Sequence, residues 1–507
     1  MPSPSPNYWC TWSTQSAHLP AARRVLAPLF GGDLNRPTTR DGLCEEVLFG
    51  PGGWTGFYPA SRADLYFLLD DGWDVPYGAH PDIPPGLAQF GAMTPDPRRF
   101  PSLSGTPGER LAALARRVAD AGWRGLGLWV AIQSQGAAGV AAWRGLSPRE
   151  EWKRKIAWCA EGGVAYLKVD WGASCGDIAF RRMLTEIRDE VAPGIVIEHC
   201  RCQPPVNGLN DDGTGGGRRL MGPEDAKLRD WERQVLPFSD VWRIYDWIEP
   251  LSVPQGIDRT VTDIRLVEET GSRALVSTED GLYLGAALGC AFGVMRSPLR
   301  PPDDRRWPSL PCLRLREVDR AVRWSRLAPA YAPSEGNRIV WSDETLFDAW
   351  QFAEGEFWYR PICGKPIRQG APARVARGLP LPEVIAEGDA PYVLASRNPA
   401  GPVAVAALPR VAGEKSVTPP ADVRIDAVPA PNAPLGVFGS FRTLALRAPQ
   451  NLGRLFAQDL ADGPVHDIRA AATVTDGRLV IPGDLLARIG KETDNDDSLP
   501  ATLVWTE

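Results

Sequence analysis

The sequence predicts an α/β protein, a (β/α)8 barrel followed by a C-terminal antiparallel β-sandwich. Three observations predict it. Up to about residue 330, short apolar strands alternate with amphipathic helices, the order that builds a parallel sheet. Several of those strands finish in charged residues, and a barrel carries its chemistry at the C-terminal ends of its strands. Beyond that point the helical pattern gives way to short strands between Gly and Pro turns. A doubly wound sheet would need a glycine-rich turn after its first strand, and no G-x-G-x-x-G stands there. The expected division is a barrel over residues 1–328 and a β-domain over 329–507, with a proline-rich linker near 411–435.

The first strand is the aromatic run Tyr8-Trp9-Cys10-Thr11-Trp12. Leu65 to Leu69 forms the next, ending in Asp70-Asp71-Gly72-Trp73. Leu111, Leu114 and Val118 recur at i, i+3, i+7 between Gly108 and Gly122, which predicts an amphipathic helix closed by glycine. Trp123 to Ile132 supplies a strand, and Glu151 to Cys159 a helix stopped by Gly162-Gly163. Then comes Val164-Ala165-Tyr166-Leu167-Lys168-Val169-Asp170, a buried strand with a cation and a carboxylate at its tip. Side chains alternate along a strand, so Lys168 and Asp170 share one face. A helix over 179–190 leads to Gly194–His199, which ends near Glu198, and Val241 to Ile248 carries Asp246. Asp211 to Gly217 is a glycine loop without the Lys-Ser/Thr of a phosphate loop, and reads as a mobile surface linker. Arg273 to Thr278 and Leu284 to Val294 supply the last barrel elements, while Pro429 to Pro434 marks the interruption in the β-region.

Composition excludes several classes. Hydrophobic residues at 44% and charged residues at 23% are those of an ordinary globular chain. A net charge of −6 over 507 residues, with no basic block, argues against nucleic acid or an anionic membrane as partner. No apolar run reaches 18 residues, and Met1-Pro2-Ser3-Pro4-Ser5-Pro6 lacks the basic and apolar regions of a signal peptide, so a cytoplasmic enzyme is expected. The nine cysteines include no C-x-x-C pair and read as free thiols. His199, Cys200 and Cys202 lack a second paired cluster, so neither metal nor cofactor is expected. The 19 tryptophans offer flat faces suited to a sugar ring as well as to a core.

Asp70, Asp71, Asp170, Glu198 and Asp246 gather at strand ends, with no nucleophile elbow and no dinucleotide fingerprint. Carboxylates and tryptophans at a barrel mouth point to glycoside cleavage, which needs one carboxyl group to attack and one to protonate.

Four segments in order strengthen this reading. Trp9-Cys10-Thr11-Trp12 is similar to W-x-[ST]-W, and Leu69-Asp70-Asp71-Gly72-Trp73 to I-D-D-G-W. Phe100-Pro101, Gly108 and Gly125-Leu126-Gly127-Leu128-Trp129-Val130 resemble F-P…G…FGLW, and Leu167-Lys168-Val169-Asp170 matches K-x-D. Together they resemble the α-galactosidase or melibiase-like clan of retaining α-glycosidases. That resemblance implies a terminal α-linked glycoside or oligosaccharide as substrate, Asp170 as nucleophile and Asp246 as acid/base. It also implies sugar contacts from Trp9, Asp70, Asp71, Trp129, Lys168, Glu198 and Arg243.

The sequence departs from the family's pattern in two places. Trp242-Arg243-Ile244-Tyr245-Asp246 sets Arg and Asp three apart, in opposite strand phase, leaving Asp240 and Glu249 as fallback acids. Glu198-His199-Cys200-Arg201-Cys202 replaces the usual fifth-strand sequence, so Arg201 is either a contact to an anionic substrate or an ion-pairing residue. An N-acetylgalactosaminide, a β-L-arabinopyranoside or another pentoside, a transglycosylase, and a non-catalytic carbohydrate-binding barrel stay open as alternatives. The β-domain is expected to pack on the barrel, with homo-oligomer formation open.

Overall fold

The computed structural model describes residues 4–17, 43–74, 91–132, 141–170, 172, 174–201, 226–244, 252–299, 314–351, 364, 366–412, 415–430, 433–494 and 497–507. Eight parallel strands form the first sheet: β1 (Tyr8–Cys10), β2 (Tyr66–Leu69), β3 (Gly125–Val130), β4 (Val164–Val169), β5 (Val196–Cys200), β6 (Val241–Arg243), β7 (Leu275–Ser277) and β8 (Gly293–Val294). Strands β1 to β7 pair in chain order, and β8 pairs back with β1. A parallel bridge between Ser277 and Ala291 joins the β7 and β8 sides, so the sheet closes into the expected barrel.

Besides the short helices Trp12–Ala17 and Glu45–Phe49, the helices outside the barrel among the described residues include α1 (Pro107–Asp120), α2 (Pro148–Glu161), α3 (Ile178–Val191), α4 (Ala226–Val235), α5 (Ser252–Thr270), α6 (Leu282–Leu288) and α7 (Arg316–Leu327). Local sequence fixes where α1 and α2 begin. Thr106-Pro107-Gly108-Glu109 and Ser147-Pro148-Arg149-Glu150 each form a capping box with proline in the first turn, which satisfies amide groups a helix start leaves open. Leu111, Leu114 and Val118 then bury the inner stripe of α1. Among the described residues no helix is long and apolar enough to cross a membrane.

Strand alternation sorts the barrel into two shells. Tyr8, Cys10, Tyr66, Leu68, Tyr166 and Met295 pack together inside it. Trp9, Phe67, Leu69, Leu126, Leu167 and Ile197 belong to the larger core outside it, toward the helices. Gly293 is required at its place on β8, since a Cβ there would lie 2.4 Å from the Tyr8 ring.

The C-terminal region is a sandwich of an eight-stranded and a five-stranded sheet. It departs from a purely antiparallel pattern at three parallel pairs: Arg374–Arg377 with Tyr392–Arg397, Val403–Leu408 with Leu435–Gly439, and Ala421–Arg424 with Thr443–Arg447. These pairs arise where the chain crosses between sheets instead of turning back on itself. The stretch expected as a linker contains the strand Ala421–Arg424, whose Ala421 and Val423 enter the sandwich core, so it is built into the domain.

The eight-stranded sheet is buried on both faces. Val393, Val405, Val437 and Val504 meet the second sheet, while Leu394, Ala406 and Phe438 meet the barrel helices. Trp324 of α7 packs edge-on against Phe438 at 5.9 Å. Buried Arg320 of α7 bonds both Asp459 oxygens, at 2.8 and 2.9 Å, a bidentate pairing that fixes orientation.

Candidate active site

Residues of matching parity on β2, β4, β5, β6 and β7 converge at the C-terminal end of the barrel. Register places Lys168 beside Glu198, and Cys200 beside Arg243. Lys168 Nζ lies 2.8 Å from Asp70 Oδ2, 3.2 Å from Glu279 Oε1 and 3.7 Å from Asp170 Oδ2. Arg243 reaches Asp170 Oδ2 at 2.8 Å, Glu198 Oε1 at 3.0 Å and Glu279 Oε2 at 2.6 Å. Two cations thus hold four carboxyl groups, all buried.

The aromatic floor completes the cluster. Tyr166 donates to Glu198 Oε2 at 2.6 Å, and Tyr8 approaches Glu198 and Glu279 at 3.4 and 3.3 Å. The Trp129 indole donates to Asp170 Oδ2 at 3.2 Å, and the Cys200 thiol to Asp170 Oδ1 at 3.4 Å. Cys10 donates to Asp70 Oδ2 at 3.0 Å, and the Asp70 amide donates to Thr11 Oγ1 at 2.9 Å.

The two oxygens of Asp170 are therefore unlike. Oδ2 is held by Arg243, Lys168 and Trp129, whereas Oδ1 meets a thiol, a weak donor. Burial raises the Asp170 pKa, but the Arg243 and Lys168 charges more than offset it and hold the carboxyl below its usual range. Burial dominates at Glu198 and pushes it up to about 7, against the opposing pull of Arg243 and the Tyr166 hydrogen bond. The cluster thus contains an anchored carboxylate and a carboxyl group that titrates near neutrality.

Asp70, Trp129, Lys168, Asp170, Glu198 and Arg243 are brought together as expected. Asp71 is buried at the tip of β2, its amide donating to Asp70 Oδ1 and its carbonyl accepting from Gln15. Asp246 and Glu249 lie outside the described residues, as do Cys202 and the Asp211–Gly217 loop.

Two residues stand on the wrong face. Trp9 points outward, ringed by Phe57, Phe67 and Trp123, with its indole donating to Arg296 O at 2.9 Å. Its neighbours Tyr8 and Cys10 face inward, and the aromatic packed against that inner group is half-buried Trp12. Arg201 also points outward, paired with Glu232 at 2.8 Å and with Asp263. It is the ion-pairing residue of the two expectations, not a contact to this cluster. Asp240, a fallback acid, sits at the opposite end of β6, where it pairs with Arg188 and accepts from the Ile197 amide.

Glu279 was missed by sequence reasoning. Its signal is the alternation Leu275, Ser277, Glu279, one step beyond the predicted strand end.

No family model matches the chain, and no curated protein does. Among solved structures it is similar to α-galactosidase I of Mortierella vinacea, at 10% identity over 99% of this chain and 96% of that one, TM-score 0.37. It is similar to the α-galactosidase of Saccharomyces cerevisiae, at 10% identity over 99% and 95%, TM-score 0.39. A β-L-arabinopyranosidase of Geobacillus stearothermophilus matches at 10% identity over 99% and 96%, TM-score 0.39.

Proposed function

We propose that the protein is a retaining exo-α-glycosidase of α-galactosidase type, acting on terminal α-linked sugars through a covalent glycosyl-aspartate. The observation that carries this reading is the asymmetric Asp170 carboxylate at the tip of β4. Its Oδ2 is anchored by Arg243 at 2.8 Å and Trp129 at 3.2 Å, which leaves Oδ1 to attack the anomeric carbon. Ionisation is what a nucleophile needs, and the two cations favour it.

In this mechanism Asp70 and Lys168 bind sugar hydroxyls. Their 2.8 Å pairing presents an acceptor and a donor side by side, the pattern a hydroxyl requires. Arg243 holds Asp170 in line and stabilises the carboxylate released when the intermediate breaks down. Asp246 protonates the leaving oxygen and then activates water, on the resemblance alone. In a retaining enzyme the two carboxyl groups stand about 5–5.5 Å apart.

Asp170→Asn should abolish turnover of a nitrophenyl α-galactoside, with a loss of about four orders of magnitude and an unchanged melting temperature. Near-normal activity in a folded variant would remove Asp170 from the mechanism. The same assay across a panel of nitrophenyl α- and β-glycosides tests which sugar is taken.

A further inference from the structure

A second concentration of charge lies away from the Asp170 cluster. A cavity of about 500 Å³ opens between the start of α1, the length of α2 and the segment around Thr94 that follows β2. Its charged lining is Arg110, Arg144, Arg154 and Lys155 against the single carboxylate Glu151, and Trp143 and Trp158 form part of its wall. This size suits one or two sugar-sized groups.

The cations here are under-compensated. Lys155 is 4% exposed, and its ammonium stands 3.8 Å from Glu151 Oε1, beyond hydrogen-bond range. Burial pushes the Lys155 pKa down to about 8, with Glu151 and Asp74 opposing that shift and Arg144 adding to it. Among the described residues, the unpartnered polar atoms of this lining include Arg144 Nε, Arg154 Nε, buried Thr94 Oγ1 and one acceptor, Glu151 Oε1. Arg154 spends one terminal nitrogen on Glu151 at 2.7 Å and lies over the Trp158 ring at 4.9 Å. Buried donors without acceptors are costly, and with four cations lining the cavity against one carboxylate, the charge it would best accommodate is an acceptor-rich anion.

Trp143 adds the second half of a recognition surface. It is 51% exposed, a large apolar face in water, with Arg144 over its ring at 5.4 Å. Flat aromatic faces take the apolar face of a sugar ring, and the neighbouring guanidinium groups take an oxyanion.

We propose that this cavity binds an acidic sugar, its carboxylate or sulfate held by Lys155, Arg144 and Arg154 and its ring packed on the tryptophans. The proposal stands apart from the glycosidase reading, since it concerns binding without turnover. It is tested by calorimetric titration of the full-length protein with glucuronate, with glucose 6-sulfate and with glucose, repeated on Lys155→Met and Arg144→Met. The expected result is saturable binding of at least one acidic sugar, at least tenfold tighter than glucose and weakened at least tenfold in both variants. Whichever acid binds identifies the oxyanion. Arg144 is half-buried and outside any helix, so its variant is expected to fold even if Lys155→Met does not, and melting curves of both check this. Equal affinity for glucose and the acids, no binding of either acid, or unchanged affinity in Arg144→Met would overturn the proposal.

Discussion

Arg243 and Arg201 are neighbours on adjacent strands, both fully buried and both held by carboxylates, yet they serve different parts of the molecule. The Arg201 amide donates to the Arg243 carbonyl at 3.2 Å, so the two residues are tied through the sheet itself. Arg243 turns into the barrel and meets Asp170, Glu198 and Glu279. Arg201 turns out and meets Glu232 and Asp263, with Trp242 donating to Asp263 at 2.9 Å. A buried ion cluster is therefore not by itself a sign of chemistry. What separates the two is strand parity: both stand at C-terminal strand ends, and only the cluster facing into the barrel lies where a substrate can arrive.

The largest expected contrast is between Arg243→Met and Arg201→Met. Each strands buried carboxylates and should cost roughly 3–5 kcal/mol of stability before proton uptake relieves it, read as a lowered urea midpoint. Only Arg243→Met should also depress kcat/KM, by about a hundredfold or more, and move the acid limb of its pH profile upward as Asp170 loses a cation. Equal activity losses in the two variants would erase the distinction.

Protonation sharpens the comparison at intermediate size. Burial pushes Glu198 up to about 7 and Glu232 up to about 8, so each holds a proton in the folded chain that it has lost when unfolded. Their contribution to stability is therefore complete below about pH 4.5 and is lost as pH rises, through about 7 for Glu198 and about 8 for Glu232. Glu232→Gln should remove the stability loss on that side, at most roughly 5 kcal/mol, and leave kcat/KM unchanged. Glu198→Gln should flatten its own part of the stability profile and lower activity as well. Thermal melts from pH 5 to 9 set beside kcat/KM separate the two, and an activity loss in Glu232→Gln would contradict the assignment.

The smallest effect concerns two tryptophans, Trp9 on the first strand and Trp12 at the start of the helical turn that follows it. Trp9→Phe should cost about 1–3 kcal/mol of stability with KM unchanged, because it thins the outer core. Trp12→Ala should raise KM about tenfold at near-wild-type stability. The reverse pattern would return Trp9 to the site.

Those tryptophans also show what the sequence can and cannot reveal. The barrel was legible because its strands are apolar runs with charged tips and its helices carry clean i, i+3, i+7 stripes. Lys168 and Asp170 were legible because a period of two puts them on one face of a six-residue strand. The strand β1 has three residues, too few for its pattern to reveal which face is inside, and the chain turns into a helix at Trp12, so the places of Trp9 and Trp12 emerge only in three dimensions. Arg201 was a different case. Glu198 and Arg201 are three apart and must face opposite ways on a regular strand, a signal already present in the chain. Glu279 lies one residue past the end of the apolar run Arg273–Thr278, where the alternation continues although the hydrophobic pattern has stopped. The prolines before and after Ala421–Arg424 hid a strand inside what looked like a linker, since proline marks a turn without saying what lies beyond it.

The central claim is that Asp170 is the residue that bonds to the sugar. Incubating the protein with a fluorinated α-galactosyl fluoride, which forms the intermediate faster than it is hydrolysed, and then mapping its peptides by mass spectrometry tests this directly. The expected result is one added fluorosugar per chain, on the peptide containing Asp170, and none in Asp170→Asn. A label on any other carboxylate of the cluster would contradict the account.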